Sequence, residues 1–320
     1  MVGYRKALKS QITSFNQKNK LIHLLDLHDW NQDHFHTIFK LAKQFKNKSF
    51  LPKHDAILMA NLFYEHSTRT LTSFEIAALY LGINVVNFSV LNSSKSKGEN
   101  LQDTIENLYA MGISLFVLRH PRSGAPHSLV QHARFPYHII NAGDGEHAHP
   151  SQALIDCFTI EQNKGSISNL HITICGDILH SRVARSLIHA FTCFNVKSLT
   201  LCAPPSLMPI KLPSFPFTIE HALANAIDGR DVIINLRIQR ERITHGAIPS
   251  TLEYFNTFGI TSELLNKLSP TVMVLHPGPV NRGVELDDSV LKNQRSFILQ
   301  QVSNATAIRM SIIHSILCNE

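Results

Sequence analysis

The chain has 320 residues, 44% of them hydrophobic and 17% charged, and Lys plus Arg exceed Asp plus Glu by 30 − 24 = 6. That length suits two domains of roughly 100–200 residues each, and the composition excludes a disordered chain. No apolar run approaches the roughly 20 residues of a membrane span, and the basic residues form no long block of the kind that grips nucleic acid.

The first twenty residues are polar and basic, without the apolar core of a signal peptide. Residues 31–46 predict an amphipathic helix, on which the basic stretch 40–48 reads as a solvated face. A strand at 56–63 then leads through Tyr64-Glu65-His66-Ser67 into a helix at 68–81. Strands follow at 83–89, 114–118 and 137–141, with helices at 100–111 and 127–133 between them. Gly143-Asp144-Gly145 suits a hinge or tight turn. Beyond it come a helix at 150–164, opened by Pro150, a strand at 170–175 and a helix at 182–194. Strands at 198–201, 231–235 and 271–275 and a helix at 305–317, apolar on most sides, complete the chain.

β-Branched runs alternating with helical patterns predict an α/β fold. We expect two α/β domains, each with a mainly parallel sheet flanked by helices. The first covers 1–145, with 300–320 packing back on it, and the second covers 146–299. Ligands of such sheets bind at the carboxyl ends of the strands. Polar clusters fall at those ends, so the active site is expected between the domains. The five cysteines (Cys157, Cys175, Cys193, Cys202, Cys318) form no CxxC pair and mostly occupy apolar segments, which predicts buried, reduced thiols and a cytoplasmic, soluble protein.

Ser67-Thr68-Arg69-Thr70 stands where a strand turns into a helix. Free N–H groups at a helix N-terminus attract an anion, three hydroxyls add donors, and an arginine fork matches phosphate geometry. Read locally, the stretch fits either an anion site or an ordinary serine cap with a surface arginine. No GxxxxGK[ST] run is present, so a nucleotide P-loop is unsupported. The His147-x-His149 pair has no Cys or carboxylate companions that would complete a metal set, and Gly176-Asp177 lacks the further glycines of a dinucleotide turn. Neither metal nor cofactor is implied.

The stretch Phe63-Tyr64-Glu65-His66-Ser67-Thr68-Arg69-Thr70-Leu71-Thr72-Ser73-Phe74-Glu75 resembles the carbamoyl-phosphate signature of the aspartate and ornithine carbamoyltransferases. The resemblance continues through Gly98-Glu99-Asn100-Leu101, Arg119-His120-Pro121, Asn141-Ala142-Gly143-Asp144-Gly145 and His149-Pro150-Ser151-Gln152-Ala153-Leu154. It ends in His276-Pro277-Gly278-Pro279-Val280-Asn281-Arg282-Gly283-Val284-Glu285. His66 stands where proline is usual and Leu71 where arginine is common; neither is expected to touch substrate. The ornithine branch carries Ser-Met-Gly and His-Cys-Leu-Pro motifs that this chain lacks. Arg237-Ile238-Gln239-Arg240-Glu241-Arg242 suits a second carboxylate and would repel a second ammonium, which favours the aspartate branch.

The resemblance implies transfer of a carbamoyl group from carbamoyl phosphate to the amino group of L-aspartate, an early step of pyrimidine biosynthesis. It assigns Ser67, Thr68, Arg69, Thr70 and Arg119 to the phosphate. Arg69, Thr70 and His149 would face the carbamoyl oxygen; Gln152 and the carbonyls of Pro277 and Gly278 would hold the carbamoyl amino group. Arg182, Arg237 and Gln239 would bind the aspartate carboxylates. Ser93 and Lys97 would reach in from the neighbouring subunit of a homotrimer, which places the site at the subunit interface too. Larger assemblies with regulatory chains or a dihydroorotase stay open, and neither nucleic acid nor membrane is expected as a partner. The alternatives are a carbamoyltransferase for another amino acid such as ornithine, or a non-catalytic scaffold; four buried arginines, the expectation for Arg69, Arg119, Arg182 and Arg237, argue against a scaffold.

Overall fold

The computed structural model describes residues 13–89, 100–210, 216–239 and 250–318. These fall into two compact units, one within Met1–Leu154 and Asn304–Glu320, the other within Ile155–Ser303.

In the first unit, helix α1 (Gln32–Lys46) starts at Asn31. The Asn31 side chain accepts the His34 N–H at 3.0 Å, and His34 Nδ1 accepts the Asn31 N–H at 3.1 Å. This reciprocal cap satisfies two N–H groups that the helix leaves over. Phe35, Ile38, Phe39, Ala42 and Phe45 are buried at helical spacing, while Lys40, Lys43 and Lys46 are exposed, so the basic stretch is a solvated face. Four parallel strands follow: β1 (Leu58–Phe63), β2 (Asn84–Ser89), β3 (Leu115–His120) and β4 (His138–Asp144), in the order β2-β1-β3-β4. Between them run α2 (Thr68–Tyr80), α3 (Leu101–Ala110) and α4 (Ala125–Gln131), and α5 (Pro150–Lys164) comes next.

Alternation by two sends Ala60, Leu62, Phe116, Leu118 and Ile139 to one face of the sheet, where they pack with Ile105, Leu108 and Leu129. Met59, Leu115, Val117 and Ile140 on the opposite face are buried as well. Burial on both faces is what the crossovers of a parallel sheet produce.

Strand β4 runs three residues past its expected end. Asn141–Asp144 keep pairing with β3, ending at His120 opposite Asp144, with a register shift after Leu118. Gly143 and Asp144 therefore belong to the strand, and the turn falls on Gly145. Its φ is +46°, and a Cβ there would lie 2.6 Å from the Ser123 nitrogen. A left-handed backbone in so close a contact requires glycine.

The second unit has five parallel strands: β5 (His171–Cys175), β6 (Ser198–Cys202), β7 (Thr218–Glu220), β8 (Val232–Asn235) and β9 (Met273–Leu275), ordered β7-β6-β5-β8-β9. Helices α6 (Arg182–Phe194), α7 (Leu223–Ile227), α8 (Thr251–Phe258) and α9 (Ser262–Asn266) connect them, and α10 (Asp288–Leu291) follows β9. Periodicity does not reveal β7 or α7 to α10, since each has eight residues or fewer. The final helix, α11 (Ile298–Leu317), starts seven residues before its expected position because Gln300 and Gln301 interrupt the apolar run. Arg309, on its first-unit part, is buried with its guanidinium 4.6 Å from the centre of the Phe74 ring, and burial lowers its pKa to about 9.

All five cysteines are free; Cys157, Cys175 and Cys202 are buried, Cys193 is partly buried and Cys318 is exposed, contrary to expectation, because it follows the end of α11. No helix among the described residues is long and apolar enough to cross a membrane.

Candidate active site

In the strand order β2-β1-β3-β4 the chain leaves β1 towards one side and β3 towards the other. The carboxyl ends of β1 and β3 therefore flank the topological switch point, where open α/β sheets bind ligands. Phe63 pairs with Arg119 there, and the Tyr64 N–H donates to the Arg119 carbonyl at 2.9 Å, so the segment leading to Ser67 starts beside Arg119. Ser67 is the cap residue of α2, and its hydroxyl makes no capping bond. The first main-chain bond of the helix runs from Leu71 N–H to the Ser67 carbonyl at 3.0 Å. The N–H groups of Thr68, Arg69 and Thr70 thus project past the first turn, as anion binding requires.

Thr70 is buried, whereas Thr68 and Arg69 are exposed and Ser67 is half-buried. Partial desolvation holds the Arg69 pKa below the ordinary arginine value, yet the group stays cationic. The Arg119 guanidinium donates from one terminal nitrogen to the Ala142 carbonyl at 3.2 Å, and its Nε lies 3.4 Å from Glu65 Oε2.

His149 and Gln152 are brought to the same sheet edge by a buried carboxylate. Asp144 accepts from Gly124 N–H at 2.6 Å, Asn141 Nδ2 at 2.8 Å and Ala148 N–H at 3.1 Å, and it contacts His147 Nδ1 at 3.0 Å. The Asp144 N–H donates to the Ala148 carbonyl at 3.0 Å, closing the loop just before His149. His149 is buried and accepts the Gln152 N–H at 3.1 Å through its carbonyl, so the pair opens α5 together. His147 is engaged by Asp144.

The second unit repeats the logic. Strand β5 leads to β6 on one side and β8 lies on the other, so the β5/β8 boundary is its switch point. Gly176, after β5, has φ +116°, and a Cβ there would sit 2.6 Å from the Leu236 carbonyl oxygen; glycine lets the two strand ends approach. Asp177, fully buried, accepts His180 Nδ1 at 2.8 Å and Gln239 N–H at 3.2 Å, while Gln239 Nε2 donates to the His180 carbonyl at 2.9 Å. Arg182 opens α6, where the Ser181 hydroxyl accepts the Ala184 N–H at 3.1 Å.

Arg237 and Gln239 are separated by Ile238, whose N–H donates to Glu285 Oε1 at 2.8 Å. Glu285 also accepts from Asn281 N–H and Nδ2, both at 2.7 Å, which ties this segment to the loop that follows β9. Burial raises the Glu285 pKa, and these three bonds pull it back. On that loop, which carries Pro277 and Gly278, the Gly278 N–H donates to His276 Nδ1 at 2.8 Å and the Gly278–Pro279 peptide is cis.

Within the first unit, then, Ser67, Thr68, Arg69, Thr70, Arg119, His149 and Gln152 follow strands that end side by side. Within the second, Arg182, Arg237, Gln239, Pro277 and Gly278 do the same. Ser93, Lys97 and Arg240–Arg242 lie outside the described residues. The expectation of four buried arginines is corrected: only Arg182 is buried, Arg119 and Arg237 are half-buried, and Arg69 is exposed. Long stems carry these guanidinium groups toward solvent from strand and helix ends. Asp144, Asp177 and Glu285 had no role assigned from sequence. An acid at or just past a strand end, beside glycine, is the signal that could have found the first two.

Two family models match the chain: the carbamoyl-P binding domain of aspartate/ornithine carbamoyltransferases over residues 22–162, and the Asp/Orn binding domain over 168–316. Aspartate transcarbamoylase from Trypanosoma cruzi, in complex with N-(phosphonacetyl)-L-aspartic acid, is 28% identical with a TM-score of 0.85, covering 94% of this chain and 98% of that one. The same enzyme with carbamoyl aspartate and phosphate gives 28% identity, the same coverage and a TM-score of 0.84. Ornithine carbamoyltransferase from Thermus thermophilus shares the fold at 23% identity, covering 92% of this chain and 98% of that one, with a TM-score of 0.80.

Proposed function

The chain belongs to the aspartate/ornithine carbamoyltransferase family, and from that premise we propose that it transfers the carbamoyl group of carbamoyl phosphate to the amino group of L-aspartate, giving N-carbamoyl-L-aspartate and phosphate. The observation that carries the reading is the convergence of the α2 N-terminus with Arg119 at the β1/β3 switch point, a phosphate-binding arrangement at the ligand edge of the first sheet.

In this reading the main-chain N–H groups and hydroxyls of Ser67, Thr68 and Thr70, with Arg69 and Arg119, hold the phosphate. Arg69, Thr70 and His149 direct donors at the carbamoyl oxygen, and Gln152 with the carbonyls of Pro277 and Gly278 orients the carbamoyl amino group. Arg182, Arg237 and Gln239 bind the two aspartate carboxylates. Four arginines offset the repulsion of two dianions and the cost of desolvating them.

The amine attacks the carbamoyl carbon, negative charge develops on its oxygen, and the C–O bond to phosphate then breaks. Each donor aimed at that oxygen supplies about 2.7–4 kcal/mol in enzymes where it has been measured. Holding both reactants together supplies a further roughly 7–11 kcal/mol. The leaving phosphate accepts the amine proton, so the mechanism needs no protein base. The choice of aspartate over ornithine rests on Arg237, whose charge matches a second carboxylate and opposes a second ammonium.

We also assign the protein to the cytoplasm and to pyrimidine biosynthesis, and its active form to a homotrimer in which Ser93 and Lys97 complete the site of a neighbouring subunit. N-(Phosphonacetyl)-L-aspartic acid joins both substrate chemistries in one molecule. Calorimetric titration should show it binding more tightly than carbamoyl phosphate or aspartate alone. Failure of that compound to bind, under conditions where carbamoyl phosphate does, would sink the two-substrate reading.

A further inference from the structure

Two histidines and a cysteine converge in the first unit, with none of the proposed substrate residues among them. His54 Nε2 lies 3.0 Å from His314 Nδ1, and the same His314 nitrogen lies 3.4 Å from Cys318 Sγ, although His54 and His314 are 260 positions apart in the chain. One ligand atom from each residue falls within 4.8 Å of the others. For Zn–N near 2.0–2.1 Å and Zn–S near 2.3 Å, tetrahedral geometry puts ligand atoms about 3.3 Å apart for two nitrogens and about 3.5 Å for nitrogen and sulfur. Two of the three edges are already close to those lengths, and the third is within 4.8 Å.

The local structure prepares this arrangement. His314 and Cys318 are four residues apart, and the Cys318 N–H donates to the His314 carbonyl at 2.9 Å, so the helical turn of α11 continues through the cysteine and both side chains share a face. His54 is held from the other side, its N–H donating to the Leu81 carbonyl at 2.8 Å and its carbonyl accepting the Ile57 N–H at 3.0 Å. Phe45 and Phe50 stand edge-on to the His314 ring, with centroids 5.8 and 5.3 Å away, giving an apolar surround that strengthens metal–ligand bonds. A cavity of about 290 Å³ touches His314 and Cys318 and offers an ion a way in.

We propose that His54, His314 and Cys318 form a binding site for a borderline-soft divalent cation of the Zn²⁺ type. Two imidazole nitrogens and one thiolate are the donor set such ions select, and a water molecule completes four-coordination. On binding, the Cys318 thiol releases its proton to solvent, the hydrogen shared between His54 Nε2 and His314 Nδ1 moves to the other nitrogen of the ring that carried it, and two metal–nitrogen bonds replace the contact between the imidazoles. The ion then clips the segment that leads into β1 to the end of the last helix.

The test uses the untagged full chain and Co²⁺ as a coloured probe for Zn²⁺. The wild-type protein should bind one Co²⁺ per chain with a thiolate-to-cobalt charge-transfer band in the near ultraviolet, and added Zn²⁺ should bleach it. Cys318→Ser, at an exposed position that should not disturb folding, should abolish the band and weaken binding by more than the roughly 10–100-fold lost with an outer-shell partner. His54→Gln should weaken binding comparably. Zn²⁺ should raise the Tm of the wild type and leave that of Cys318→Ser unchanged. The absence of a charge-transfer band in the wild type at saturating Co²⁺, or its persistence in Cys318→Ser, would overturn the assignment and leave a hydrogen-bonded histidine pair with a thiol beside it.

Discussion

Replacing Asp144 with asparagine isolates the device that holds His149 in place. The carboxylate is fully buried, and its two oxygens accept from Gly124 N–H, Asn141 Nδ2 and Ala148 N–H. An amide keeps one acceptor oxygen and puts an NH₂ group where the other stood. If the NH₂ faces Gly124 and His147, the charge-assisted bond to Gly124 is lost, worth about 1.5–3 kcal/mol, two buried donors confront each other at about 1–3 kcal/mol more, and His147 Nδ1 faces an amide in place of a carboxylate. If it faces Asn141 and Ala148, two bonds are lost, so the first orientation sets the minimum. Asp144→Asn should therefore cost the first unit about 2.5–6 kcal/mol, a large part of the roughly 5–15 kcal/mol that holds a domain together. Urea denaturation followed by circular dichroism gives the stability change. Because Ala148 directly precedes His149, kcat should also fall, by about 100-fold if the imidazole shifts by an ångström. A stability change below about 1 kcal/mol with unaltered kcat would refute the reasoning and reduce the carboxylate to a replaceable loop acid.

Arg69→Ala should lower kcat by about 100-fold or more, since the guanidinium is asked to serve both the leaving phosphate and the carbamoyl oxygen; turnover within tenfold of the parent would remove that role. Arg237→Ala should weaken aspartate far more than carbamoyl phosphate, and equal loss of both affinities would mean that Arg237 supports the fold instead. Burial, and next the neighbouring His138, lowers the His23 pKa to about 3 from its ordinary 6.5, and His23 Nδ1 accepts the Ile139 N–H at 3.2 Å. The neutral form is favoured in the folded state, so stability is complete above pH 6.5 and falls as the unfolded chain takes up the proton below it. The loss reaches about 2 kcal/mol at pH 5, and His23→Asn, which keeps an acceptor, should flatten that slope in urea titrations at pH 7 and pH 5.

The parallel two-sheet architecture can be read from the sequence because both sheet faces are buried. Leu58–Phe63, apolar but for Asn61, and residues 172–175, apolar or β-branched throughout, then stand out as short runs bounded by helical patterns. The candidate phosphate residues are legible for another reason. Ser67 to Thr70 are consecutive, so strand end, helix start and arginine fall in one short window. The bonds that orient those residues are not local: Asp177 and Gln239 are 62 positions apart, and Glu285 and Ile238 are 47. They meet only because the sheet order sets β8 between β5 and β9, which a linear pattern does not state. The burial of each arginine is similarly hidden, since residue type fixes its charge while the depth of its strand or helix end fixes its exposure. His54, His314 and Cys318 lie in unrelated segments and acquire meaning only once the last helix is placed.

The central claim is tested most directly by giving the purified protein carbamoyl phosphate labelled at its carbonyl carbon, together with aspartate, ornithine or N-acetylornithine in separate reactions. The label should appear in N-carbamoyl-L-aspartate with an equal yield of phosphate. The kcat/KM for aspartate should exceed that for ornithine, because ornithine brings a second ammonium to Arg237 where aspartate brings a carboxylate. Label passing preferentially to ornithine or N-acetylornithine, or to none of the three, would contradict the account.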